Sequence, residues 1–334
     1  MKLRRVLLTV DAVGGVWGYG LTLAAALADR GVETILAAVG PSPSAEQRRE
    51  ATTIAGLRLV EHPGVLEWMD DAWASVADTG RWLREVERET RPDVVFASSF
   101  SFGAVACRAP VVVVAHSCVL SWYEAVRGVR APPSWDRYRR EVRRGLEEAR
   151  CIVAPTAAMA EALRRHHDPG HTLTTPVRVI ANARAASAPR PSVKEPFVLS
   201  AGRLWDDAKN IVLLDAVAPQ VSWPVLVAGD ATGPGGQRRE LSSCQSLGAV
   251  PSALLGGYMA RASVYAAPAL YEPFGLAILE AASAGCALLL GDIPSLRELW
   301  DGVAVFAPPR DQSAFARALR LLEGDPRGRR ALAA

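Results

Sequence analysis

Unbroken apolar runs alternate along this chain with stretches whose apolar positions recur every three or four residues. The first pattern predicts strands buried on both faces, and the second predicts amphipathic helices. Residues 6–10 predict a first strand. Residues 11–20, D-A-V-G-G-V-W-G-Y-G, predict a glycine-rich turn, followed by a helix to about Arg30 that Gly31 stops. Residues 34–39 predict a second strand, 72–90 an amphipathic helix, and 93–97 and 111–115 two buried, β-branched strands. A charged helix over 137–150 and strands at 152–154 and 177–180 complete this half.

Residues 183–196 are rich in Ala, Pro and Ser and lack periodicity, which predicts an interdomain linker. The alternation then restarts. Strands are predicted at 197–201, 225–228, 264–267 and 287–290, helices at 210–217, 275–284 and 313–322, and a glycine-rich loop at 229–236. Strand–helix alternation of this kind predicts parallel sheets with crossover helices. The fold class is α/β with two doubly wound domains, 1–186 and 187–334, and 334 residues suit two cores better than one. Ligands are then expected at the carboxyl ends of the strands, in a cleft between the halves.

Composition narrows the function. A net charge of +3 gives no reason to invoke nucleic acid. Only Lys2, Lys194 and Lys209 are lysines among 38 cationic residues, so a lysine inside a motif stands out. Five cysteines without C-x-x-C spacing suit reduced, partly buried thiols in a cytoplasmic protein. Lys2, Arg4 and Arg5 precede an apolar run too short for a leader, and none reaches the ~18 residues of a membrane span.

Two segments carry the chemistry. In E-P-F-G-L-A-I-L-E, Glu272 sits in a loop, Gly275 opens a helix, and Glu280 follows about two turns later. The free amides of Gly275, Leu276 and Ala277 form an anion site, and both carboxylates can accept hydroxyl hydrogens. Surface glutamates flanking an ordinary helix give the same spacing. In S-A-G-R-L-W-D-D-A-K-N, Arg203 and Lys209 lie between a strand and a helix, where two cations neutralise a diphosphate. A solvated loop paired to Asp206 and Asp207 is the alternative.

Weaker signals surround these. The glycines at 14, 15, 18 and 20 lack the G-x-G-x-x-G order, which argues against a nicotinamide dinucleotide; Gly14 and Gly15 can still bring amides to a phosphate. His116 ends the strand V-V-V-V-A-H and faces the expected cleft, where it either stabilises developing charge, holds a sugar hydroxyl, or is a packed core residue. His166, His167 and His171 lie beside Asp168, Pro169 and Gly170 without metal-ligand spacing and read as a solvated loop. No metal site is expected. R-Y-R-R-E-V-R-R reads as a solvated helix face, with an anionic membrane surface as the less favoured partner.

Together these residues resemble the retaining GT-B-fold glycosyltransferases of family GT4, which include sucrose- and glycogen-synthase-like enzymes. The resemblance runs from D-x-x-G-G-V at 11–16, P-D-V-V at 92–95 and V-V-A-H at 113–116 to A-G-R-L, L-G-A-V and Y-E-P-F-G-L-A-I-L-E. It implies a metal-independent transfer from an NDP-sugar, with UDP or GDP as expected carrier and no cofactor. Arg203 and Lys209 would hold the diphosphate, with Gly14 and Gly15 approaching it. Glu272 would contact the transferred sugar, and Phe274, Gly275 and Leu276 would offer backbone to sugar and phosphate. Glu280 would take the ribose, Gly248 and Val250 would lie near the base, and His116 would sit beside the anomeric carbon. The acceptor, a sugar, lipid-linked or small-molecule hydroxyl, would meet Trp17, Tyr19, Trp122 and Tyr123 on the first domain. Nucleotide-sugar epimerisation or hydrolysis, or a non-catalytic partner subunit, are the alternatives the same fold allows.

The chain departs from the family in three places. Arg203 and Lys209 are six residues apart rather than five, and residues 179–183 read V-I-A-N-A rather than V-I-P-N-G. Members usually also continue into a helix that returns to the first domain, a role that 323–330 is expected to fill in part.

Overall fold

The computed structural model describes residues 2–184 and 193–333. Packing divides the chain into two units, one of Met1–Tyr123 with Val129–Ala183 and one of Glu124–Gly128 with Arg184–Ala334. The domain boundary expected at 186/187 lies outside the described residues, as does most of the expected linker.

The first unit runs β1 (Arg5–Val10), α1 (Gly15–Ala28), β2 (Glu33–Gly40), α2 (Ala45–Thr52), β3 (Leu57–Pro63), α3 (Trp73–Thr90), β4 (Val94–Ala97), β5 (Val111–Val114), α4 (Val119–Trp122), α5 (Asp136–Glu148), β6 (Cys151–Ala154), α6 (Ala157–His167) and β7 (Val177–Val179). Its strands are parallel, in the order β3-β2-β1-β4-β5-β6-β7. The apolar run of β1 serves both faces. Leu7 packs with the buried residues of α3, α5 and α6, and Leu8 and Val10 pack with Trp17 and Ala51 under α1 and α2.

The second unit runs β8 (Glu195–Ala201), α7 (Ile211–Val217), β9 (Val225–Ala228), β10 (Gln245–Gly248), α8 (Ser252–Arg261), β11 (Ala262–Ala267), α9 (Leu276–Ser283), β12 (Ala287–Gly291), α10 (Pro294–Trp300), β13 (Val305–Ala307), α11 (Gln312–Gly324) and α12 (Pro326–Leu332). The order is β10-β9-β8-β11-β12-β13, again parallel. Val198 faces the core under α7 and α11, while Phe197 and Leu199 face the core under α9. In each sheet the strand order reverses beside the first strand, between β1 and β4 and between β8 and β11. That switch opens a crevice at the carboxyl ends.

One expectation needs correction. The segment 11–20 is not one turn, because α1 already begins at Gly15 and Gly14 is its N-cap. Its later glycines are helical, and Gly20 is one because a Cβ there would lie 2.4 Å from Cγ1 of Val10. The segment 323–330 makes contacts within the second unit. Arg329 donates to the carbonyls of Leu322 and Glu323 and lies 4.6 Å over Trp223.

Helix α6, which buries Met159, Ala160 and Leu163, was not predicted despite its apolar face, but several other unpredicted elements carry little apolar signal. Helix α2, AEQRREAT, buries only Ala51 and is held by a Ser44–Gln47 capping box. The edge strands β3 and β10 have no buried position, and α8 carries two central glycines.

Candidate active site

The switch point of the second sheet brings together residues far apart in sequence. Strand β8 delivers the loop 202–210, and its neighbour β11 delivers Glu272. Nζ of Lys209 lies 2.5 Å from Oε2 of Glu272, across 63 residues of chain. Both are largely shielded, their side chains 24% and 16% exposed, so the pair is strengthened by its surroundings.

Arg203 donates to Oδ2 of Asp206 at 2.6 Å, and its guanidinium stacks 5.2 Å from the centre of Trp205. Its Nε is buried and finds no acceptor, a donor in want of a ligand. Asp206 is buried and also accepts from the Ala208 amide at 3.0 Å. Burial opposes its charge, but Arg203, Lys209 and these hydrogen bonds outweigh burial and hold the carboxyl below its usual range.

The two aspartates of W-D-D-A therefore divide their work. Asp207 turns away from Arg203 and Lys209, to Arg239 at 2.6 Å and to Arg127, in the segment that groups with this unit, at 2.8 Å. Asn210, which sequence reasoning passed over, takes the left-handed conformation (φ 54°) and donates to the carbonyls of Pro268 and Pro309. It ties the Arg203–Lys209 loop to the loops after β11 and β13. The K-N dipeptide at a helix start was the available signal, since Asn tolerates that conformation.

Glycine Gly229 lets the neighbouring loops close up. Its φ is 150°, and a Cβ there would lie 1.8 Å from the Gly202 carbonyl oxygen. Its amide donates to the Gly248 carbonyl at 2.8 Å. Gly248 and the half-buried Val250 thus stand at the end of β10, two strands from the Arg203 loop.

Helix α9 starts as the sequence predicts. Gly275 is left-handed (φ 88°) at its N-cap, where a Cβ would lie 2.7 Å from Cδ1 of Ile278. Its carbonyl accepts from Ile278 and Leu279, so the amides of Gly275, Leu276 and Ala277 precede the first intrahelical bond. Phe274 is buried and can offer a ligand only backbone. Glu280, further along α9, is held by Nε of Arg184 at 2.6 Å. Burial pushes the Glu280 carboxyl up, and Arg184 works against that. Arg184 was not singled out by its sequence.

The first unit presents neutral groups. Gly14 and the exposed Gly15 stand at the start of α1, beyond β1. His116 follows β5, with its Nε2 buried and without a partner. Burial pushes its pKa down to about 4, so it is uncharged at neutral pH and cannot act there as an imidazolium. Tyr19 meets its ring edge-on, with centroids 4.6 Å apart, and burial raises the Tyr19 phenol to about 12.

Trp17 does not offer a stacking face, because it is 4% exposed and donates its indole N–H to Glu50. Trp122 and Tyr123 are half-buried, and Tyr123 packs on the main core. The Tyr123 hydroxyl accepts from Trp135 at 3.1 Å, and the two neighbours meet edge-on.

The histidine cluster is not a solvated loop as a whole. His171 is exposed, but His167 ends α6 buried, with Nε2 3.3 Å from Sγ of Cys118 and burial pushing its pKa down to about 3. Asp168 is buried too and is paired with Arg143 at 2.8 Å. The arginines of R-Y-R-R-E-V-R-R mostly have partners within the unit. Arg139 binds Asp136 and the Ala131 carbonyl, Arg144 binds Glu141, and Arg137 lies over Trp73. Among the described residues no group of three or more His, Cys, Asp or Glu could hold a metal, and no helix is long and apolar enough to cross a membrane.

Two doubly wound parallel units give the chain the GT-B fold of its structural neighbours, and the family matches make it a glycosyltransferase. Residues 13–184 match the family described as Glycosyltransferase Family 4, and residues 195–325 match Glycosyl transferases group 1. The chain belongs to glycosyltransferase family 4. It is 26% identical over 356 aligned residues to the glycogen synthase of Mycobacterium tuberculosis, covering 94% of this chain and 83% of that one. Its fold is shared with the sucrose-phosphate synthase of Thermosynechococcus elongatus (TM-score 0.73, 17% identity, 99% and 92% of the two chains). It is shared equally with the Anabaena protein HepE solved with UDP and glucose (TM-score 0.73, 16% identity, 100% and 93%).

Proposed function

We propose that this glycosyltransferase moves a sugar from a UDP- or GDP-sugar to an acceptor hydroxyl with retention of anomeric configuration and without a metal. The Lys209–Glu272 pair carries the reading, because it joins a phosphate-binding cation to a sugar-binding carboxylate next to the free amides of α9. Arg203, Lys209 and those amides neutralise the diphosphate as it leaves, which is the charge stabilisation a divalent metal would otherwise supply. Glu272 accepts hydroxyls of the transferred sugar and Glu280 those of the ribose. Among the described residues no side chain stands out as a covalent nucleophile, so the acceptor attacks from the face the diphosphate leaves, through an oxocarbenium-like state. The leaving phosphate then takes the acceptor proton. Neutral His116 holds a sugar hydroxyl, and Tyr19, Trp122 and Tyr123 rim the acceptor side. The free thiols of all five cysteines fit a cytoplasmic enzyme.

The donor is found by a thermal-shift screen of UDP-, GDP-, ADP- and dTDP-sugars, since a ligand of the native state raises its melting point. With that donor, Lys209→Ala and Glu272→Ala each lower kcat/KM by at least about a hundredfold. Near-wild-type turnover in both variants sinks the site. An inverted anomer in the product's proton spectrum sinks retention, and loss of turnover in EDTA sinks metal independence.

A further inference from the structure

We propose that Arg184 is a positioning residue of the nucleotide-sugar site, fixing the Glu280 carboxylate as hydrogen-bond acceptor for the ribose diol. The inference rests on the donor reading above and adds to it a residue that the sequence pattern did not single out. Arg184 directly follows V-I-A-N-A, the stretch where this chain departs from V-I-P-N-G. Its Nε stands 2.6 Å from Oε1 of Glu280, with both side chains only about a quarter exposed, 26% and 23%.

Glu280 needs such a partner. It sits on α9, LAILEAAS, whose Ile278 and Ala281 are buried, so it has little water to stabilise its charge. The other charged or titratable groups nearby are committed elsewhere. Lys209 is taken by Glu272. Lys194 turns to the carbonyls of Met259 and Ala284 and to Cys286. Tyr265 donates its hydroxyl to the Ala201 carbonyl and, like Glu272, adds no positive charge.

A carboxylate left alone there would take up a proton as the pH falls, and a protonated carboxyl accepts the diol less well. Arg184 opposes protonation and, through its charged contact with Oε1, also holds the carboxylate in place. It acts on the ligand through Glu280, not by touching the reacting atoms.

The test is calorimetric titration of UDP and GDP into wild type, Arg184→Ala, Arg184→Lys, Glu280→Gln and the Arg184→Ala/Glu280→Gln double variant, from about pH 8 down to about pH 5. Circular dichroism confirms folding of each. Arg184→Ala is expected to weaken binding about tenfold at the alkaline end. Its affinity should also begin to fall at a higher pH than in wild type, because Glu280 has lost the charge that kept it ionised. Arg184→Lys restores most of the affinity and the wild-type profile. The double variant binds no worse than Glu280→Gln and shows no such acid fall. If Arg184→Ala binds with wild-type affinity and profile while Glu280→Gln is weakened, the Arg184 assignment is overturned and the donor reading stands. If Arg184→Ala is weakened without any shift of its pH profile and Arg184→Lys does not rescue it, the residue is merely structural. If Glu280→Gln binds like wild type, the donor reading itself fails.

Discussion

The strand ends of the two units present different chemistry. In the second unit the candidate residues are charged and already paired, Arg203 with Asp206, Lys209 with Glu272 and Arg184 with Glu280. In the first unit they are glycine amides, a phenol edge and an imidazole that stays neutral at physiological pH. The difference follows from what each has to tolerate when empty. A shielded charge without a partner costs several kcal/mol, so a site for a diphosphate must carry its own counter-charges. A neutral ring nitrogen can go without a partner for about 1–3 kcal/mol, and Nε2 of His116 does. On the proposed reading, the second unit would exchange one set of ion pairs for another when the diphosphate binds, while the first keeps an open hydrogen-bonding position.

Three experiments test this contrast. The largest effect is expected for Trp17→Ala, which empties a buried site under α1 and leaves Glu50 without its indole partner. It should cost about 3–5 kcal/mol of the first unit's stability in chemical denaturation. A cost near zero, with a selective loss of acceptor affinity, would return Trp17 to the acceptor surface.

Next comes Asp206→Ala, which strands the Arg203 guanidinium and removes a cap from the Ala208 amide. About 2–4 kcal/mol of the second unit's stability should be lost. An unchanged denaturation midpoint would show that the cations do not depend on paired carboxylates.

The smallest concerns pH. The His167 pKa is pushed from an ordinary value near 6.5 down to about 3, so the unfolded chain takes up its proton first. Stability attached to this residue is therefore lost as the pH falls from about 6.5 toward 3, on the order of 2 kcal/mol by pH 5. His116 works in the same direction, and the buried Glu67, whose carboxyl is raised by burial, works against it. In the second unit, Asp206, Asp215 and Asp292 lie below their usual range and lose their contribution only below about pH 4. Hydrogen exchange at pH 5 should accordingly open the first unit before the second. His167→Gln should shrink the fall in Tm between pH 7 and pH 5 by a few degrees. An equal fall in both proteins would show that His167 does not titrate as its burial requires.

How far the site could be read from sequence differs residue by residue. The turn at Gly275 and the helix after it were legible because glycine suits that backbone conformation best, and E-P-F-G-L places it in one short string. The rarity of lysine pointed to Lys209, which the structure sets against Glu272. The same argument would have misled at Lys194, which caps the carboxyl ends of α8 and α9. Trp17 and His167 show the opposite limit. Both lie among polar or glycine neighbours that suggest exposure, yet one fills the core under α1 and the other packs against Cys118. Arg184 left no signal at all, because its partner lies 96 residues away on another element.

Two parallel α/β units, the loops that carry charge and the helix that follows Gly275 were all readable along the chain. Those follow from local rules of apolar periodicity, turn chemistry and left-handed glycine, each acting over a few residues. Only the tertiary structure decided which carboxylate each cation meets. The strand order, reversing between β8 and β11, set Lys209 beside Glu272, turned Asp206 and Asp207 to opposite partners and gave Glu280 to Arg184. Ion pairing of this kind depends on distance and burial across the fold, and no spacing along the chain encodes either.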